Sequence, residues 1–181
     1  MRLFSSIRNK LSLLILISVL VFFGWLAGLE TLYTKTLVST ANFTLSNIKH
    51  YDHIKYEERN GLYHLRVFIE VDGQRGDFVH EPGSMTQPLI TILSWQIFLF
   101  FVLKRKSALE SLGVNFGLFF LIQIVFLILL TDYYTSEVKQ YIFMVIDDSF
   151  NIIAFILILK DNMLYPIFKK KVKLINMNRH E

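Results

Sequence analysis

The chain has 181 residues, of which 53% are hydrophobic and 17 are phenylalanine, and its mean hydropathy is +0.44. That is more apolar side chain than a water-soluble domain of this length buries, so the chain fits a membrane. The formal net charge of +4 does not point to nucleic acid, because the lysines and arginines crowd the ends of apolar runs, where they anchor to headgroups. The absence of cysteine excludes disulfides, thiol catalysis and cysteine-held metal.

The first apolar run, residues 11–29, follows Arg2, Arg8 and Lys10. Its length is close to the ~20 residues a helix needs to cross a ~30 Å hydrocarbon core. The basic start and the small Ala27 and Gly28 are shared with signal peptides, but the run is long for one and has no A-x-A site. An uncleaved anchor is expected.

Residues 30–87 form the sizeable polar stretch. Leu29, Tyr33 and Leu37 recur at every fourth position, and residues 31–46 lack proline and glycine, so the first helix is expected to continue past the bilayer. Strand signals follow. Residues 53–58 lead into the turn Arg59-Asn60-Gly61, then Leu65, Val67, Ile69 and Val71 alternate with His64, Arg66, Phe68 and Glu70 across residues 62–71. Asp72-Gly73 marks a second hairpin turn before residues 76–81, which predicts a three-stranded antiparallel meander. A sheet this small buries too little to stand alone and must lean on the extended helix, the membrane surface or a partner. Glu81-Pro82-Gly83-Ser84 then returns the chain to the bilayer.

Three more apolar runs occupy residues 88–103, 114–130 and 141–159. Pro88 suits the first turn of a helix, where its missing N–H costs nothing. Trp95 and Gln96 in the second run and Gln123 in the third are read as contacts between helices. The basic segments are the N-terminus, Lys104-Arg105-Lys106, and a tail with Lys160, Lys169, Lys170, Lys171, Lys173 and Arg179. The loop 131–140 has only Lys139 against Asp132 and Glu137. By the positive-inside rule both termini are cytoplasmic and residues 30–87 face outward. The expected fold is an α-helical integral membrane protein, with four transmembrane helices and a small extracytoplasmic antiparallel β-meander between helices 1 and 2. Its parts are residues 1–29, 30–87, 88–160 and a basic cytoplasmic tail, 161–181.

Asp147 and Asp148 interrupt the fourth run, with Asn151 close behind. Counted back from Lys160 at ~1.5 Å per residue, Asp148 lies about 18 Å from the cytoplasmic end. An ionised carboxylate in hydrocarbon costs at least ~2.5–3.5 kcal/mol, so these residues need a polar crevice, a cation or a proton. One polar stripe of Asp147, Asp148 and Asn151 is the candidate site for a partner or an ion, with a polar packing cluster as the plainer alternative. Adjacent helical residues point ~100° apart, so the two carboxylates do not form an aspartyl-protease dyad. His50, His53, His64 and His80 lie near Asp52, Asp77 and Glu81, but their spacing matches no closed zinc pattern, and they read as surface histidines. Asn42-Phe43-Thr44 is a glycosylation triplet with meaning only in a secretory eukaryotic cell. No nucleophile elbow, phosphate loop or metalloprotease motif is present, and no cofactor is expected.

The order of these parts carries a resemblance. A basic N-terminus, one span, a β-rich outer segment, a proline-marked return (Glu81-Pro82-Gly83 through Gln87-Pro88-Leu89) and three further spans with the turn Lys104-Arg105-Lys106 follow one another. This architecture resembles the small membrane proteins associated with exosortases, most of all the exosortase H-associated type. The resemblance implies an accessory role beside a membrane-embedded sorting transpeptidase in a Gram-negative inner membrane. Exosortases use a catalytic cysteine, which this chain lacks, and no functional residue carries over. The function expected is that of a non-enzymatic inner-membrane accessory. It would bind a membrane partner, either an exosortase-like enzyme or an exported chain. The alternative is a transport or proton-coupled component using Asp147 and Asp148.

Overall fold

Continuous apolar sequence between basic turns gives long helices, and the computed structural model places them where the runs fall. It describes residues 6–49, 51–59, 62–71 and 73–168. The predicted Asn60-Gly61 turn, Asp72, His50, Arg2 and the basic residues 169–181 lie outside the described residues.

Helix α1 (Ile7–Gly24) passes through a π-helical turn, Trp25–Leu29, into α2 (Glu30–Ile48). Gly28 in that turn has φ 119°, a conformation that only glycine adopts without strain. The one-turn α3 (Gly83–Thr86) precedes α4 (Pro88–Val102), followed by α5 (Arg105–Thr131) and α6 (Glu137–Leu164). Four segments are long and apolar enough to span a bilayer: Ile7–Ile48, Gly83–Val102, Arg105–Thr131 and Glu137–Leu164. By helix length and hydropathy the chain is a multi-pass membrane protein.

Helix α4 alone is about 22 Å long, short of a ~30 Å core, and α3 completes the span. Helices α5 and α6 are each about 40 Å long and overrun it. Polar contacts cross the bundle at one level. Ser84 Oγ donates to Asp147 Oδ1 at 2.5 Å, and Gln123 Nε2 donates to the Met85 carbonyl at 2.5 Å. Tyr33 OH donates to Gln123 Oε1, and Thr86 Oγ1 to Glu30 Oε1 at 3.0 Å. Gly83, Gln123 and Asp147 lie about 26–28 Å along their helices from Val102, Arg105 and Leu164 respectively, at 1.5 Å per residue. They form one polar belt at a similar distance from the far ends of the three helices.

Beyond the belt, residues 124–131 of α5, residues 137–146 of α6 and the body of α2 rise as stubs that carry the sheet. Strands β1 (His53–Arg59), β2 (Leu62–Val71) and β3 (Gln74–His80) pair antiparallel in the order β1-β2-β3, the meander read from the sequence. The register sets Ile54 against Val67 and Leu65 against His80. The period-2 alternation puts Leu65 and Val67 on the buried face, against Leu37, Ala41 and Leu45 of α2 and Phe126 and Leu130 of α5. The sheet thus leans on helix, as its small size requires. The edge of β1 is closed by Asn42 of α2, whose amide donates to the Ile54 carbonyl at 2.7 Å and accepts from the Ile54 N–H at 2.8 Å.

An ion-pair cluster fastens the top of this cap. Lys49 Nζ lies 2.8 Å from Asp52 and 2.6 Å from Asp132, and Lys139 lies 3.1 Å from Asp132. Burial alone would raise the Asp132 carboxyl, but the bonds from Lys49 and Lys139 outweigh it and hold the group below the ordinary carboxylate range. At the opposite end a second core joins Ile17 and Val21 of α1 to Trp95, Phe98 and Leu99 of α4.

Candidate functional site

Helix α6 carries every acidic residue of interest within the spans except Glu30 and Glu110, and the structure sends those residues in three directions. Asp147 is half-buried and turned toward α3, where Ser84 holds it. Asp148 and Asn151 are exposed on the outward face, one turn apart, and neither has a hydrogen-bond or ion-pair partner among the described residues. The three candidates of the sequence reading lie within one ~100° sector of α6 and differ in burial and partners. Asn151 falls between the two carboxylates, about 40° from Asp147 and about 60° from Asp148, and of the three only Asp147 meets a partner among the described residues, Ser84.

The third direction is inward, and it was missed in the sequence. Helix α6 runs to Leu164, five residues beyond the end of the predicted run, and carries Asp161 into the bundle with 0% of its surface exposed. The sequence reading places Asp161 in the tail, and the helix extends past that boundary. Four donors converge on its Oδ2: Trp95 Nε1 at 3.0 Å, Gln96 Nε2 at 3.2 Å, Ser111 Oγ at 2.7 Å and Asn115 Nδ2 at 2.7 Å. Ser111 also lies 3.2 Å from Gln96 Oε1, but its one proton goes to the nearer carboxylate. Lys160 Nζ is 3.4 Å from Asp161 Oδ1 and donates to Asn115 Oδ1 at 2.5 Å.

Four donors from two helices share this one acceptor, so the Asp161 carboxyl is a latch across α4, α5 and α6. Its Oδ2 is saturated by protein donors. The signal for it was present in the apolar runs. Trp95, Gln96 and Asn115 within the runs, and Ser111 just before the third, are donors that need an acceptor, and Lys160 as a helix end hides Asp161, the acceptor one residue beyond it.

The histidines are dispersed. His53 stacks on Phe68 with ring centres 4.4 Å apart, and His64 lies half-buried in the middle strand, two positions from outward-facing Arg66. His80 faces inward, against Phe126 and Phe143 at 5.9 and 5.5 Å. Burial pushes the His80 imidazole below its usual range, opposed by the fields of Asp147 and Glu81. Among the described residues no group of three or more metal-ligating side chains comes together.

The fold and these sites define a multi-pass membrane protein in which a buried polar cluster around Asp161 joins three of the helices. Comparison with family models, curated proteins and solved structures gives no match.

Proposed function

We propose that this chain is a non-enzymatic accessory of a bacterial inner membrane, both termini cytoplasmic and the helix-and-sheet cap outside, that holds another membrane protein or an exported chain. The observation that carries this reading is the outward face of α6. There Asp148 and Asn151 stand exposed and unmatched in an otherwise apolar row. Hydrocarbon tails offer a carboxylate and an amide nothing, so such groups on the lipid side mark a contact surface. The architectural resemblance makes an exosortase-type enzyme the first partner to examine.

The test is a photocrosslinking amino acid placed at Val145 and at Ile152 of the full chain in its native membrane. A discrete protein adduct is the expected result. Lipid adducts alone from both positions would overturn the accessory reading.

A further inference from the structure

One row on the outward face of α6 has a heptad-like spacing and contains a carboxylate unpartnered among the described residues. Val138, Tyr141, Val145, Asp148, Ile152, Phe155 and Leu159 are spaced 3-4-3-4-3-4 along the helix. The six apolar members are between 43% and 70% exposed, and Asp148 is exposed with them. That spacing suits a seam that packs knobs-into-holes against another helix, it is sustained over about 32 Å, and Ile142, Met144 and Ile156 flank it as further exposed apolar surface.

The position of Asp148 in the seam decides what covers it. If the hydrocarbon ends at the polar belt, level with Asp147, then Val138, Tyr141 and Val145 hold about 10–15 Å of apolar face in water. If it ends at Tyr134 and Tyr141, in the manner of an aromatic belt, Asp148 lies about 10 Å deep in lipid tails with no counter-charge. Lipid alone leaves one half of the seam mismatched in either placement. A helix with apolar side chains along the seam and a cation at the level of Asp148 matches both halves.

Resting on the docking role of α6 stated above, we propose that the occupant is a transmembrane helix of another protein that carries a lysine or arginine level with Asp148. The ion pair sets the register of the two helices, as a single polar seam position does in coiled coils. Asn151, one turn away, supplies a second polar contact to the same cation or to its backbone.

The experiment uses the full chain in native membranes with the photocrosslinker at Ile152, and compares the parent with Asp148→Asn and Asp148→Lys. Trp95 emission of each variant, purified in mixed micelles in a Trp25→Phe background, reports that it is folded. The adduct is expected to fall roughly three- to thirtyfold in Asp148→Asn, the range that one intramembrane polar contact covers, and to vanish in Asp148→Lys. Exchanging the partner's basic residue for aspartate should restore capture by Asp148→Lys. A protein adduct of undiminished yield in both variants overturns this inference and leaves the accessory role standing. So does a crosslinked peptide without lysine or arginine within one turn, or a second copy of this chain as the captured species. Capture of lipid alone overturns both.

Discussion

Truncating Asp161 to alanine removes the acceptor shared by four donors that are themselves 0–4% exposed: Trp95, Gln96, Ser111 and Asn115. Each buried donor left unpaired costs about 1–3 kcal/mol. Polar contacts within membranes average nearer ~0.6 kcal/mol, because neighbouring groups re-pair. Here Ser111 can turn to Gln96 Oε1, 3.2 Å away, and Lys160, about a third exposed, can reach for water. Between those limits the loss should be about 3–5 kcal/mol, the size typical of a broken buried charge pair. Asp161→Asn keeps one acceptor oxygen and loses the charge, and should cost about 1–3 kcal/mol. Trp95 and Trp25 are the two tryptophans, so a Trp25→Phe background makes Trp95, one of the four donors, the sole fluorescent reporter. Reversible unfolding in mixed micelles, followed through that emission, gives the energies directly. An Asp161→Ala protein within ~1 kcal/mol of its parent would refute the latch. Strict additivity of Asp161→Ala with Asn115→Ala would refute it equally, because residues sharing a network couple.

Two further outcomes concern the cap. Asn42→Ala leaves the Ile54 N–H and carbonyl unpaired at a residue 1% exposed, and should cost about 2 kcal/mol. Amide exchange at Ile54 should then quicken by roughly thirtyfold while Trp95 emission stays unchanged; unaltered exchange would show that α2 does not close the strand edge. His80 has a lowered pKa in the fold, so the unfolded chain takes up its proton first as the pH falls. Stability is fully present above about pH 6.5 and declines below it, toward the folded value. The unfolding midpoint of the cap measured against pH should show this decline and lose it in His80→Phe; an unchanged profile in that variant would exclude His80 as the source.

The four spans and the meander were legible because each rests on a strong period: long apolar runs for the helices, and strict alternation in β2 with turn residues on either side. The helix ends were not. Lys160 looks like a boundary lysine in sequence, yet its ammonium pairs with Asn115, and one more residue of helix turns Asp161 into the bundle. The cap was half legible. The leaning of the sheet on α2 followed from its size, but Phe126 and Leu130 of α5 are apolar because the sheet covers them, and in sequence that is indistinguishable from lipid-facing helix. Asp147 and Asp148 read as a pair because they are adjacent. Only the path of α3, which brings Ser84 to one and not the other, separates them.

The left-handed glycine in the first helix bears on how the molecule meets membranes of different depth. Helix α1 packs on α4, whereas α2 belongs to the cap, and the π-helical turn at Trp25–Leu29 lies between them. A Cβ at Gly28 would meet nothing within 4 Å, so it is the backbone angle and not crowding that demands glycine there. A span that meets a thicker or thinner bilayer adjusts most cheaply by changing its tilt. With a break at that point, α1 can re-tilt without levering the sheet off its stubs, and the cap keeps its height above the lipid.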